Sequence, residues 1–155
     1  MDESKDNCAV LIEQYKIYIQ AMEHVRDRRF RQNRFYSTLL LGLVGLLSLL
    51  IGIKSNLSPL FLKTIFVIIG CLGITICFVW IKHIDAYYIV NQRKFNVLYE
   101  MEKLLPYSPF KMEAEIGERE PLKIKWGIAS NEKILPLTLM IIFSILATFS
   151  IFLTI

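Results

Sequence analysis

Charge is missing from three long stretches of this chain. Residues 36–53, 60–81 and 134–155 contain no Asp, Glu, Arg or His, and their one lysine, Lys63, belongs to the turn that opens the second stretch. Proton relays and ion-coupled transport need ionisable groups inside the membrane, so the sequence disfavours secondary transport. Cysteine is scarce too: Cys8, Cys71 and Cys77 follow no metal-ligand spacing, and the last two lie in an apolar block, where a thiol is inert filling. No nucleophile–base arrangement, phosphate loop or metal quartet is present, so no catalytic residue, cofactor or metal site is expected and the protein reads as a non-enzyme. The formal charge of +4 over 155 residues gives no reason to expect nucleic acid as a partner. A short apolar core of the kind found in cleavable signal peptides is absent from the first thirty-four residues, so the first apolar block is expected to direct its own insertion.

Apolar residue types are what the chain has in plenty. They make up 54% of it, mean hydropathy is +0.45, and they gather into the three charge-free blocks. The first, 36–53, is at the short end of what crosses a bilayer, the second, 60–81, is ample, and the third runs from 134 to the last residue, 155. The first two are joined by a turn containing Asn56, Ser58 and Pro59, too short for an outside domain, so they form a transmembrane hairpin. Pro136 is expected in the first turn of the third span, where a missing N–H costs nothing.

Amphipathic segments flank the hairpin on both sides. In residues 1–35, Leu11, Tyr15, Tyr18, Met22 and Val25 alternate at four- and three-residue steps, and the next step is Arg29. In residues 82–105 the same spacing runs through Ile84, Tyr88, Asn91, Phe95, Leu98, Glu102 and Leu105. No breaker separates the second block from this segment, so one helix is expected from Leu57 to Leu105, about 70 Å long. Antiparallel spans bring their extensions side by side. The expected soluble core is therefore Leu11, Tyr15, Tyr18, Met22 and Val25 against Tyr88, Phe95, Leu98 and Leu105. Residues 106–133 read as irregular, with a short strand at 122–126 where Leu122, Ile124 and Trp126 alternate with lysines. The fold class is an all-α integral membrane protein. It has three transmembrane helices, the first two extended into a cytoplasmic antiparallel helical hairpin.

Counting Lys and Arg gives seven in residues 1–35, nine in 82–133 and two in the turn. Sixteen against two places the N-terminus and 82–133 in the cytoplasm and the C-terminus outside. Arg26, Arg28, Arg29, Arg31 and Arg34 stand before the first span as candidates for lipid head groups or another phosphate, beside the plainer reading that they fix topology. Phe35, Tyr36, Trp80, Tyr87 and Tyr88 make an aromatic belt, and His24 and His83 could meet across the hairpin without making a metal site. Gly42, Gly45, Gly52, Gly70 and Gly73 are expected at close span packing. Thr75, Ser144, Thr148 and Ser150 either face a lumen or bond within their own helices.

With these positions in view, a resemblance emerges. Tyr15-Lys16-Ile17-Tyr18, Arg28-Arg29 and Asn33 to Phe35 before the first span resemble the RipA family of bacterial octameric membrane proteins. So do Asn91 with Lys94-Phe95, and Glu102-Lys103-Leu104-Leu105-Pro106 with Pro109-Phe110 after the second. The Glu-Trp pair of the family pattern is missing, since Glu113 is followed by Ala114. The resemblance implies a homo-oligomeric ring of eight subunits in the bacterial inner membrane, and no reaction. The expected function is a scaffold or pore-like assembly touching lipid or a cytoplasmic protein partner. The second expectation is a ligand-gated membrane effector responding to a nucleotide signal or partner protein.

Overall fold

The computed structural model describes residues 3–53, 58–119 and 128–152. Four helices follow one another: α1 (Glu3–Gly52), α2 (Pro59–Glu102), α3 (Pro109–Arg119) and α4 (Ile128–Phe152). Among the described residues there is no strand, and α1, α2 and α4 each contain a stretch long and apolar enough to cross a membrane. The expected strand at 122–126 lies outside the described residues.

Two Ser-Pro pairs open two of these helices. Proline at the first helical position has φ preset and gives up an N–H that would be unpaired there. At α2, Ser58 accepts a hydrogen bond from the Phe61 N–H at 3.4 Å. No residue between Pro59 and Glu102 breaks the i to i−4 ladder, and α2 runs unbroken through the change from apolar to charged composition at Trp80. The expected long helix from Leu57 to Leu105 is met to within three residues at each end.

The chain divides into two compact units, Met1–Phe30 with Ala86–Gly127 and Arg31–Asp85 with Ile128–Ile155. In the first unit α1 and α2 lie antiparallel, with Tyr15 bonded to Glu102 and Tyr18 to the Lys94 carbonyl. In the second, Tyr36, Leu40, Ile69, Cys77, Trp80, Ile84 and Phe143 form a buried cluster drawn from α1, α2 and α4.

Three expectations need correction. Residues 109–119, read as irregular, are the helix α3, whose start is capped by a side chain from outside the segment. Helix α4 begins at Ile128 rather than 134, so Pro136 sits well inside it and is buried. Its ring removes one hydrogen bond to the carbonyl four residues back, a loss tolerated where packing holds both flanks. Tyr88, placed on the apolar seam, is half exposed and accepts a bond from its neighbour Gln92, while Tyr87 turns inward. From Ile84 to Asn91 the buried face steps by three and then four residues, through Tyr87, where the reading had four and then three.

Candidate functional site

In the first unit the organising group is Glu102, whose side chain is completely buried. A carboxylate tolerates burial only when its lone pairs are taken up. Here three donors do so: the Tyr15 hydroxyl at 2.8 Å and the Phe110 and Lys111 N–H groups, both at 3.0 Å. Phe110 and Lys111 lie in the first turn of α3, where backbone donors lack helical partners and the helix dipole favours negative charge. Glu102 therefore caps α3, and Ser108 instead donates its hydroxyl to the Glu102 carbonyl at 3.2 Å. One side chain ties three helices.

Burial, helped by the bond and charge of Glu102, pushes the Tyr15 hydroxyl up to about 12 from 10.0, and burial also raises Tyr18. A raised folded-state pKa means a contribution to stability that is complete below pH 10 and lost as pH rises through about 12. Alkaline titration in detergent, followed by far-UV circular dichroism, is expected to show loosening in that window. Tyr15→Phe is expected to remove most of the dependence, leaving the part due to Tyr18.

Of the arginine cluster, Arg26, Arg28, Arg31 and Arg34 are exposed, and Arg29, on the seam, is half buried. Arg26 lies 3.9 Å from Glu23. Exposed pairs of this kind contribute little to stability. Leu11, Tyr15, Tyr18, Met22, Val25, Phe95 and Leu105 are half buried and Leu98 is buried. Lys94 bridges the same pair of helices, reaching the Ala21 carbonyl at 3.4 Å with its ammonium over the Tyr18 ring.

In the second unit, Tyr36 and Trp80 are not a lipid-facing belt but part of the core, their rings stacked at 5.8 Å. Their polar atoms are satisfied between helices. Trp80 Nε1 donates to Asn33 Oδ1 at 2.9 Å, and the Tyr36 hydroxyl bonds His83 Nδ1 at 2.8 Å. His83 is thus held by Tyr36, and His24 is exposed. Asp85 and Lys133 form an ion pair between α2 and α4. No cluster of His, Cys, Asp and Glu fit to hold a metal occurs among the described residues.

The five glycines separate into two groups. A Cβ on Gly70 would lie 2.8 Å from Ala147 Cβ, and one on Gly73 would enter the Phe143 ring, so both permit α4 to lie close on α2. Gly42, Gly45 and Gly52 have open space where a side chain would be, with nothing among the described residues within 4 Å of it. Thr75, Ser144, Thr148 and Ser150 all donate to carbonyls one turn back in their own helices.

A family model described as the octameric membrane protein family (8xMP) matches residues 12–152. The chain belongs to this family. Membership takes in both clusters built around Glu102 and around Trp80, and it agrees with the family suggested by the motifs beside the spans. No curated protein and no solved structure matches the chain significantly. Family membership together with three apolar helices identifies an oligomeric membrane protein.

The interhelical partnerships were the part that sequence reasoning missed. Glu102 stood on the apolar stripe without a role, and its position there, six residues before a Ser-Pro pair, was the available signal. Asn33 figured only in a motif, because its partner is 47 residues away in sequence.

Proposed function

We propose that the protein is a non-enzymatic ring of eight subunits in the bacterial cytoplasmic membrane, serving as a scaffold or pore-like assembly. Residues 1–35 and 82–133 form a cytoplasmic collar, and the C-terminus lies outside. The observation that carries this reading is the outer surface of the span helices. Leu41, Leu49, Ile145 and Phe149 are each more than three-fifths exposed, and Gly42 and Gly45 are open. Such faces need lipid or further copies against them, and family membership favours copies. The exposed arginines before the first span face anionic head groups, at about 1 kcal/mol per charge near the surface. The collar is the surface offered to a cytoplasmic protein.

Native mass spectrometry of the detergent-solubilised protein tests the assembly. A complex of eight chains is expected, and a clean monomer overturns the proposal. Dye release from liposomes separates the two forms of it, since a conducting ring leaks dye and a lipid-filled scaffold does not.

A further inference from the structure

In the first unit α1 and α2 enclose Leu98, Tyr15 and Tyr18 between them, yet each helix carries apolar residues on a second side. Val10 and Ile17 lie seven residues apart on α1, and Val90, Val97 and Leu104 repeat at seven on α2. All five are two-fifths or more exposed. A seven-residue repeat draws a stripe along one side of a helix. The two stripes flank the same groove. Ala21, one turn on from Ile17, accepts a hydrogen bond from the Lys94 ammonium at 3.4 Å, and Lys94 lies one turn from both Val90 and Val97.

Helix α3 covers the other side of the pair. Its Phe110 ring meets that of Phe95 at 6.4 Å, and both line one cavity with Ile19. Ile17 and Val97 are each two residues from Ile19 and Phe95, about 200° round their helices. The same step applies within α3. Phe110 and Ala114 are partly buried, whereas Met112 and Ile116, two residues on from each, are exposed. The unit therefore has apolar faces on opposite sides, one built by α1 and α2 and the other by α3.

Lipid tails do not cover these faces, because the same stretches carry exposed charge, Lys16 on α1 and Arg93, Glu100 and Lys103 on α2. Aligned apolar side chains in water mark a protein contact. The faces also differ in sign. Arg93 and Lys94 lie between Val90 and Val97, and Glu113 and Glu115 between Met112 and Ile116, with Glu115 shared by Arg119 at 3.9 Å. Family membership supplies the partner, further copies of this chain. Copies inserted the same way in one bilayer are related only by an axis along the membrane normal. Each then meets its neighbour head to tail, through two different faces.

We propose that Met112 and Ile116 of one copy dock on Ile17, Val90 and Val97 of the next. This rests on the reading of the protein as a ring of copies, and names the surfaces that join them outside the bilayer.

The test uses the full chain in nonionic detergent, carrying Cys8→Ser and Cys71→Ser and keeping the buried Cys77. Val97→Cys and Met112→Cys, both at exposed positions, are introduced singly and together and treated with a short bismaleimide. Ile17→Cys with Ile116→Cys is a second pair handled in the same way. The expected result, in either pair, is a ladder of cross-linked chains rising to eight in the double variant and one chain only in each single variant. A dimer from a single variant means that like faces meet, and overturns the proposal. So do double variants of both pairs that stay at one chain while native mass spectrometry gives eight, since something other than a sister copy then covers these faces. A parent that is a monomer by mass overturns the ring reading, and this docking with it.

Discussion

Glu102→Ala is expected to lower the stability of the first unit by about 3–5 kcal/mol, the range for removing one member of a buried, fully bonded polar group. Three donors lose their acceptor together: the Tyr15 hydroxyl and two N–H groups of α3. Water cannot reach the site without the helices parting, because the carboxylate is wholly buried. Release of α3 is the expected structural result, since its start has no other side-chain acceptor for Phe110 or Lys111 among the described bonds. Limited proteolysis should then cut within 103–119 in the variant and not in the parent, and the thermal midpoint should fall by more than about 10 °C. Glu102→Gln keeps one carbonyl oxygen as acceptor and replaces the other with an NH₂, so a smaller loss of about 1–2 kcal/mol is expected. Equal stability of Glu102→Ala and the parent would show that the cap carries no weight.

Gly70→Leu is the second large effect, and it strikes the other unit. The atoms that a side chain would meet at Gly70 are Ala147 Cβ at 2.8 Å, with Ala147 Cα and the Phe143 carbonyl oxygen both at 3.2 Å. Backbone cannot swing aside as a long side chain can, so α4 must move off α2 as a body. Overpacking ordinarily costs about 1–3 kcal/mol, and this site lies at or above the top of that range. Gly73 differs in kind, because its obstacle is the Phe143 ring. Gly73→Ala combined with Phe143→Leu should recover much of what Gly73→Ala loses, whereas Phe143→Leu should do little for Gly70→Leu. Cys77 reports the displacement. It is wholly buried in the cluster that contains Phe143, while Cys8 and Cys71 are exposed. In a Cys8→Ser, Cys71→Ser background, maleimide should label Cys77 in Gly70→Leu and spare it in the parent.

The sequence made the three apolar helices legible because loss of charge over eighteen or more residues has few other meanings. The unbroken α2 was equally plain, since nothing between Pro59 and Glu102 interrupts a helix. Leu98, chosen from the seam spacing, is fully buried. Helix α3 could not be read, because its local sequence is charged and lies beside Pro106. What fixes it is the Glu102 carboxylate seven residues before its first turn. His83 shows the same limit: a lone histidine after a span carries no sign of the Tyr36 hydroxyl that meets it from another helix. Composition and period report on each helix alone. The choice of Tyr87 over Tyr88, or of Gly70 over Gly42 for close packing, is made by neighbours distant in the chain.

The hydroxyls of the span helices have one more consequence. Each described Ser and Thr in α4 from Thr138 to Ser150 is turned onto its own helix. Any surface that α4 shows from Thr138 to Ser150 is therefore hydrocarbon, aliphatic side chains and the ring of Phe149. Attraction between such surfaces has no polar latch, so shape and the squeezing out of acyl tails must carry any contact that this part of α4 makes with a further copy. Its cohesion should then follow the thickness and fluidity of the host membrane more than salt or pH.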